Sequence, residues 1–244
     1  MGSSTQTVLA VIPAHNEAGR IGPVVTATRR HLPVLVVDDG STDTTAEEAR
    51  RHGAEVLSLS PNQGKGAALK AGLAWALREG ARAVVTLDAD GQHDPREIPA
   101  FLEVFGEHAT EPALLIIGYR RFAQMPLQRT LTNGAARWIF SWAVGRRIPD
   151  NQSGYRLLSR PLVEDVLESK EKGFAFEVEV IARAIGRGWP IYWIPIRTIY
   201  SVGERSHIRP WTHLTSFVRV TLRARRTVAA VSRRHSTERG SQSR

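Results

Sequence analysis

Short apolar runs alternate with stretches of helical spacing through the first 120 residues, and this alternation restricts the chain to few folds. The predicted strands are residues 8–12, 34–37, 56–59, 84–87 and 114–117. Between them, apolar residues recur every three or four positions, as in Ile21, Val24 and Val25. Alternating strands and helices build βαβ units, so the sequence predicts an α/β fold with a mostly parallel sheet flanked by helices.

A polar segment follows each of the first four predicted strands. The four polar segments are residues 13–17, 38–43, 62–66 and 88–93. In a parallel sheet the ligand crevice lies beyond the carboxyl ends of the strands, so we expect these segments at one rim. The rim then combines carboxylates, amides and one lysine.

Asp88 and Asp90 are two carboxylates that leave one buried strand and point to the same place. They repel each other unless a cation lies between them. Mg²⁺ is usually held by one or two carboxylates and substrate phosphates, which indicates a diphosphate partner, and Gln92 can add an oxygen or orient a metal-bound water. The alternative is a polar turn in which Asp94 caps a helix that begins at Pro95.

A second acidic pair, Asp38 and Asp39, ends the second predicted strand. These carboxylates can accept hydrogen bonds from a base N–H or a ribose hydroxyl. The alternative is a turn in which Gly40 supplies the bend and Thr42 or Asp43 caps the next helix.

The third polar segment carries Lys65 between two glycines. It lacks the leading glycine and the Ser or Thr of a P-loop, so it reads as a flexible loop with a cation near the diphosphate or the base. In the first segment, Glu17 is either a ribose contact or an acidic residue that interacts favourably with the dipole of the next helix.

Composition and terminal sequence exclude several classes of protein. The chain has no cysteine, which excludes disulfide frameworks, thiolate metal sites and a cysteine nucleophile. No apolar run approaches the roughly 20 residues of a membrane-spanning helix. The first six residues lack the features of a signal peptide or a myristoylation site, so we expect a cytoplasmic protein.

The formal net charge of +9 belongs to the C-terminal fifth of the chain. Residues 197–244 contain 11 Lys and Arg against 2 Asp and Glu, whereas residues 1–196 contain 22 of each kind. This asymmetry indicates an anionic partner of the tail: a membrane surface, a phosphate ligand or nucleic acid.

Residues 211–235 have the spacing of a basic amphipathic helix. Its apolar stripe comprises Leu214, Phe217, Val218, Thr221, Leu222 and Val228, and another face carries Arg219, Arg223, Arg226 and Arg233. Such a helix either lies on an anionic membrane, where each basic residue contributes about 1 kcal/mol, or packs on the core with a solvated basic face. Residues 120–148 interleave arginines with Trp138, Phe140 and Trp142, which form a second membrane contact or part of the core.

Five motifs together resemble one family, the inverting GT-A glycosyltransferases, whose fold is Rossmann-like. The motifs are IPAHNE at 12–17, VVDDGSTD at 36–43, NQGKGAA at 62–68, DADGQHDP at 88–95 and DNQSGYR at 150–156. Their order is most similar to the branch that contains dolichol-phosphate mannose synthases and bacterial polyprenyl-phosphate glycosyltransferases. The resemblance covers about residues 7–210.

The resemblance implies roles for individual residues. The donor would be bound by Pro13, Ala14, Glu17, Asp39, Lys65 and Asp88. Mg²⁺ or Mn²⁺ would be held against the donor diphosphate by Asp88, Asp90 and Gln92. The acceptor phosphate would be gripped by Arg120, Arg129 and Asn133. The segment VGERSH at 202–207 keeps the glycine and acid of a further family motif but departs from it elsewhere, and its Arg205 is another candidate for the acceptor phosphate.

By the same resemblance, the activity is metal-dependent, inverting transfer of a sugar from a GDP-mannose-like or UDP-hexose donor to a polyprenyl or dolichyl phosphate. A sugar hydroxyl needs a general base to become a nucleophile, whereas a phosphate monoester is already largely dianionic at neutral pH and needs cations to position it. The alternative is transfer to a saccharide hydroxyl in cell-envelope polysaccharide synthesis, for which Asp150 is the candidate base.

A nucleic-acid-binding module is the alternative from a different class. It explains the basic tail but not the carboxylates at the rim, which repel a polyphosphate unless a metal intervenes, so we expect no nucleic-acid partner. We expect a disordered N-terminus over 1–6, a GT-A domain over 7–210, the basic helix over 211–235 and a frayed tail over 236–244. Because a polyprenyl phosphate lies in the bilayer, the resemblance implies a peripheral enzyme at the inner face of the membrane, with a separate membrane protein as a further candidate partner.

Overall fold

The computed structural model describes residues 7–120, 137–169, 173, 175–197, 199 and 221–230. These residues form one seven-stranded sheet: β1 (Val8–Ala14), β2 (Val34–Asp39), β3 (Glu55–Leu59), β4 (Ala83–Thr86), β5 (Leu115–Arg120), β6 (Arg156–Ser159) and β7 (Ile191–Ile196). The strand order is β3-β2-β1-β4-β6-β5-β7. Among these strands, β6 alone runs antiparallel to its neighbours, so the predicted mostly parallel sheet is confirmed.

Helices cover both faces of the sheet. They are α1 (Ile21–Thr28), α2 (Thr45–Arg51), α3 (Lys65–Arg78), α4 (Ile98–Glu107), α5 (137–144), α6 (Arg160–Leu167), α7 (Ala175–Arg187) and α8 (221–230). One hydrophobic cluster joins the sheet to α1, α2 and α4, and the other joins it to α3 and α5 to α8. Because both faces are covered, successive strand residues such as Leu9 and Ala10 enter opposite clusters, and the strands are apolar throughout.

All five predicted strands are present, with ends displaced by at most three residues. The sequence reading missed β6, which has only four residues and includes a buried arginine, Arg156. This strand lies between β4 and β5, which are consecutive parallel strands along the chain. Its insertion brings the DNQSGYR motif beside the end of β4.

One glycine sets the distance between α3 and the sheet. A Cβ atom added at Gly72 would lie 2.4 Å from Cγ1 of Val11 and 2.9 Å from Cγ2 of Val37. The helix therefore packs closely on β1 and β2 only with glycine at this position. This packing fixes the first residue of α3, Lys65, near the carboxyl ends of the strands.

The described part of the basic C-terminal helix packs on the protein. Thr221 and Ala224 are buried and Val228 packs against the core, whereas Leu222 is exposed. Of the three residues of the predicted apolar stripe in this part of the helix, Thr221 and Val228 therefore face the core and Leu222 faces solvent. Leu214, Phe217 and Val218 lie outside the described residues. Among the helices that the structure describes, none combines the length and apolar character needed to cross a bilayer.

Candidate active site

The polar segments after β1, β2 and β4 meet at one rim, as predicted. Burial raises the pKa of the Glu17 carboxyl, and the nearby charges of Asp90, Asp43 and Asp88 raise it further against the opposing effect of Arg20, which lies 2.7 Å away. Three segments that are distant in sequence therefore concentrate negative charge in one place. A cation is the complementary ligand for such a place.

Lys65 lies between two carboxylates at the centre of this rim. Its Nζ atom is 2.6 Å from Oδ1 of Asp88 and 3.2 Å from Oε1 of Glu177. Burial alone would lower the pKa of Lys65, but the two carboxylates outweigh it and raise that pKa. Burial likewise opposes ionisation of Asp88, yet the Lys65 ammonium holds the pKa of Asp88 well below its usual value. Both groups are charged at neutral pH.

Sequence reasoning missed Glu177, which lies near the start of α7. Its side chain is 5% exposed, and its Oε2 atom is buried without a hydrogen bond to any residue that the structure describes. An acidic residue between the buried Phe176 and Val178 is the signal that would have found it, because charged side chains are rarely buried unless paired.

His93 fixes the backbone at Asp88. The Asp88 N–H donates to Nδ1 of His93 at 3.1 Å, so that ring nitrogen carries no proton. Burial lowers the pKa of His93 and favours this neutral form over the opposing charges of Asp88 and Asp90. The ring lies against Tyr155, with 5.2 Å between centroids. The turn after β4 is therefore held by a buried aromatic contact.

The backbone at Gly154 closes the other side of the site. A Cβ atom added there would lie 2.8 and 3.0 Å from the two carboxylate oxygens of Asp88 and 3.0 Å from Oε1 of Glu177. Any other residue would displace these carboxylates. This contact explains why the DNQSGYR motif belongs to the same site as Asp88 although more than 60 residues separate them.

Asp90 and Gln92 lie in the turn that follows Asp88. The backbone N–H of Gln92 donates to Oδ1 of Asp90 at 2.9 Å, and the Gln92 carbonyl accepts from the N–H of Ile199 at 3.0 Å. Within the described residues, no three His, Asp or Glu side chains converge closely enough to hold a metal by themselves. The other arrangement that Mg²⁺ uses in proteins is one or two carboxylates together with substrate phosphates.

The predicted capping role of Asp94 is also present. Its carboxylate accepts from the N–H of Arg96 at 3.0 Å, at the start of a 3₁₀ turn (Pro95–Glu97) that leads into α4. The two interpretations of DADGQHDP are therefore compatible, because its first half lies at the rim and its second half starts a helix.

The predicted nucleoside-binding residues lie at the ends of β1 and β2. Pro13 and Ala14 are buried and pair in register with Val37 and Asp38. The Asp39 carboxylate accepts from the backbone N–H groups of residues 63 and 64, at 2.8 and 2.7 Å. It thereby holds the loop that precedes Lys65.

Arg120 and Asp150 form a buried, bidentate ion pair. Nε of Arg120 lies 2.7 Å from Oδ2 of Asp150, and its NH2 group lies 3.0 Å from Oδ1. Asp150 is 2% exposed; burial would raise its pKa, but Arg120 outweighs this and lowers it. Sequence reasoning placed both residues in the site, and the structure adds that they bind each other.

A cavity of about 810 Å³ opens beside this ion pair. Its charged and aromatic lining consists of Arg120, Arg137, Arg146, Arg147, Tyr119, Trp138 and Trp142. A cavity with several guanidinium groups suits a phosphate, and indole rings at its edge suit an apolar chain. The other predicted acceptor residues, Arg129, Asn133 and Arg205, lie outside the described residues.

Comparison with known proteins shows the family of the chain. Residues 9–167 match glycosyl transferase family 2. The chain is 32% identical over 211 residues to a polyprenol monophosphomannose synthase of Mycolicibacterium smegmatis, covering 79% of this chain and 77% of that protein. It is 34% identical over 209 residues to an undecaprenyl-phosphate mannosyltransferase of Micrococcus luteus, covering 78% and 82%.

Solved structures show the same fold. The glucosyl-3-phosphoglycerate synthase of Mycobacterium tuberculosis, crystallised with Mg²⁺ and uridine diphosphate, superimposes with a TM-score of 0.69 at 23% identity, over 91% of this chain and 79% of that one. The predicted GT-A fold is therefore confirmed, and so is the resemblance on which it rested. The chain belongs to glycosyl transferase family 2 and is a nucleotide-sugar-dependent glycosyltransferase.

Proposed function

We propose that this enzyme transfers a hexose from a GDP- or UDP-linked donor to a polyprenyl phosphate, with inversion at the anomeric carbon. The observation that carries the proposal is the buried pair of Arg120 and Asp150 beside an arginine-lined cavity. The names of the two mannosyl-transferring relatives, at 32% and 34% identity, support the same acceptor class.

The donor half of the site is the rim around Asp88. Asp88 and Asp90, with Gln92, would hold Mg²⁺ or Mn²⁺, and a divalent cation bound there would neutralise the charge that develops on the departing nucleoside diphosphate. Lys65 keeps the Asp88 carboxylate ionised and oriented, and His93 holds the backbone of Asp88 by accepting a hydrogen bond from its N–H. A carboxylate that is already oriented loses little freedom when the donor binds.

The acceptor half favours a phosphate over a hydroxyl. A phosphate oxygen attacks the anomeric carbon, and the bond from that carbon to the diphosphate breaks with its electron pair, so no proton has to be removed. Asp150 is poorly suited to act as a base because Arg120 lowers its pKa. The cavity arginines instead position an anion that is reactive without a base.

The acceptor also determines where the enzyme works. A polyprenyl phosphate keeps its chain in the bilayer, so the cavity has to face the membrane surface. The arginines of α8 are exposed on the side of the helix that does not pack on the core. We therefore place the protein at the inner face of the membrane as a peripheral enzyme.

A transfer assay tests this proposal. The purified protein is incubated with GDP-mannose, UDP-glucose or UDP-N-acetylglucosamine and a polyprenyl phosphate, with Mn²⁺ or with EDTA, and products are identified by mass spectrometry. We expect a glycosyl phosphoryl lipid from at least one donor, formed only with the metal, and loss of turnover in a folded Asp90→Ala variant. A parallel reaction offers a saccharide in place of the lipid, and transfer to its hydroxyl without transfer to the lipid phosphate would refute the proposal.

A further inference from the structure

Helix α5 carries large apolar side chains on two opposite faces. Phe140 and Val144 are buried in the core, one helical turn apart. Trp138 and Trp142, also one turn apart, are 71% and 65% exposed. Residues four apart lie on the same face of a helix, so the two indoles form one outward patch. The sequence left open whether these tryptophans belong to the core, and the structure places them outside it.

Helix α8 supplies charge beside this patch. Because Thr221, Ala224 and Val228 face the core, the helix presents Leu222, 52% exposed, and three arginines to solvent. The guanidinium carbon of Arg225 lies 5.4 Å from the centroid of the Trp142 ring, so the two helices form one continuous surface. We call this surface the tryptophan-arginine face: Trp138, Trp142, Leu222, Arg223, Arg225 and Arg226.

The charge of this face has one sign. Residues 137–149 and 221–230 contain six arginines and no acidic residue. Exposed tryptophan beside arginine is typical of surfaces that enter the headgroup region of a bilayer, where the indole is half solvated and the guanidinium meets lipid phosphate. The same two tryptophans line the cavity together with Arg120, so the face borders the proposed acceptor site.

We propose that the tryptophan-arginine face is a docking surface for an anionic lipid bilayer, with the two indoles at headgroup depth and the α8 arginines on lipid phosphates. This inference rests on the proposed function, because a lipid acceptor is the reason for the cavity to open toward a membrane. It joins two membrane contacts that the sequence offered separately, the basic C-terminal helix and the tryptophans of residues 120–148, into one surface.

Vesicle co-sedimentation tests the docking surface. The full chain is mixed with vesicles of phosphatidylcholine alone or of phosphatidylcholine and phosphatidylglycerol at three to one. We expect strong binding to the anionic vesicles and weak binding to the neutral ones. Replacing Arg223, Arg225 and Arg226 by Gln should weaken anionic binding by about a hundredfold, since each arginine contributes about fivefold.

A control variant separates a specific face from general charge. Arg50 and Arg78 are exposed on other helices and Arg30 in the turn after α1, and replacing all three by Gln removes the same net charge. This control should sediment like the wild type. The Trp138→Ala, Trp142→Ala double variant should lose vesicle binding while keeping its melting temperature. Equal loss in the control and the α8 variant, or undiminished binding of the tryptophan variant, would overturn the proposal.

A soluble acceptor keeps the two proposals distinguishable. With a short-chain, water-soluble polyprenyl phosphate, the α8 triple variant should turn over at the wild-type rate, whereas with acceptor embedded in anionic vesicles its rate should fall at least tenfold. Turnover of the soluble acceptor without any vesicle binding would refute the docking surface and leave the proposed function intact. Vesicle binding without turnover of either acceptor would refute the proposed function and leave the docking surface intact. Binding of the wild type to single-stranded RNA in place of vesicles would also overturn the proposal.

Discussion

The ammonium of Lys65 lies 2.6 Å from Oδ1 of Asp88, so the carboxylate at the end of β4 already has a cationic partner supplied by α3. A metal that binds Asp88 has to share that carboxylate with Lys65. Glu177, 3.2 Å from the same ammonium, can keep Lys65 paired when a metal binds the Asp88 carboxylate. The three side chains therefore form one electrostatic unit on α3, the segment after β4 and α7.

Removing the Lys65 charge should expose the repulsion within this unit. We expect Lys65→Met to lower the free energy of unfolding by about 2 kcal/mol, less than for a fully buried pair because the side chain is partly exposed. Mn²⁺ should then raise the melting temperature of the variant more than that of the wild type. Thermal unfolding with and without MnCl₂ measures both effects, with Lys65→Arg as a variant that keeps the charge. Equal melting temperatures for all three proteins would contradict this account.

The approach of Gly154 to Asp88 and Glu177 leads to a second prediction. In Gly154→Ala the added methyl group meets carboxylate oxygens at 2.8 to 3.0 Å, so we expect a loss of about 1 to 3 kcal/mol in stability. Because the displaced carboxylates belong to the proposed donor site, turnover should fall by more than the loss of folded protein explains. Gly106→Ala is the matched control, because its Cβ meets nothing within 4 Å and alanine favours helix α4. The measurements are urea unfolding and initial rates. Wild-type turnover in Gly154→Ala would show that the contact is dispensable.

The rim could be predicted from the sequence because it depends on local order along the chain. Each polar segment directly follows an apolar strand, and parallel strands place all such segments at one edge of the sheet. Asp88, Asp90 and Lys65 were found in this way. The packing of α1 could also be predicted, since Ile21, Val24 and Val25 are buried at the spacing that the sequence showed.

The pairings between segments were not predictable in the same way. Glu177 reaches Lys65 only because α7 packs beside α3, and Arg120 reaches Asp150 only because β6 enters the sheet next to β5. These contacts depend on strand order, which periodicity does not encode. The sequence therefore identified the charged groups at the site except Glu177, but it did not show which group neutralises which.

Glu17 should make stability depend on pH. Its pKa is raised in the folded protein, so its contribution to stability is complete below the unfolded value of 4.5 and is lost as pH rises through the folded value. Glu17→Gln removes this loss, and the variant should gain stability over the wild type as pH increases from 4 to 7.5. Chemical denaturation at several pH values tests this. Glu164→Gln, which breaks an exposed pair with Arg160, is the control and should show no such gain. A pH-independent difference for Glu17→Gln would contradict the raised pKa.

The pair of Arg120 and Asp150 separates two possible roles of the carboxylate. If Asp150 were a general base, its loss would abolish the chemical step and change the pH profile of kcat. If it positions Arg120, its loss would weaken acceptor binding and leave that profile unchanged. The bidentate geometry, at 2.7 and 3.0 Å, and the lowered pKa both favour positioning.

We therefore expect Asp150→Asn to raise KM for the polyprenyl phosphate about tenfold or more, with little change in the pH dependence of kcat. The same variant should lose about 3 kcal/mol of stability, because Arg120 loses a buried partner. Asp165→Asn is the matched control, because this buried carboxylate also binds two arginines, Arg183 and Arg187. It lies on α6, which follows Ser159. Ser159 pairs with the first residue of β4, at the end of the strand opposite the rim. It should lose stability without a change in acceptor KM. Initial rates across pH and acceptor concentration decide between the roles, and a kcat profile that shifts in Asp150→Asn would restore Asp150 as a base and reopen the hydroxyl acceptor.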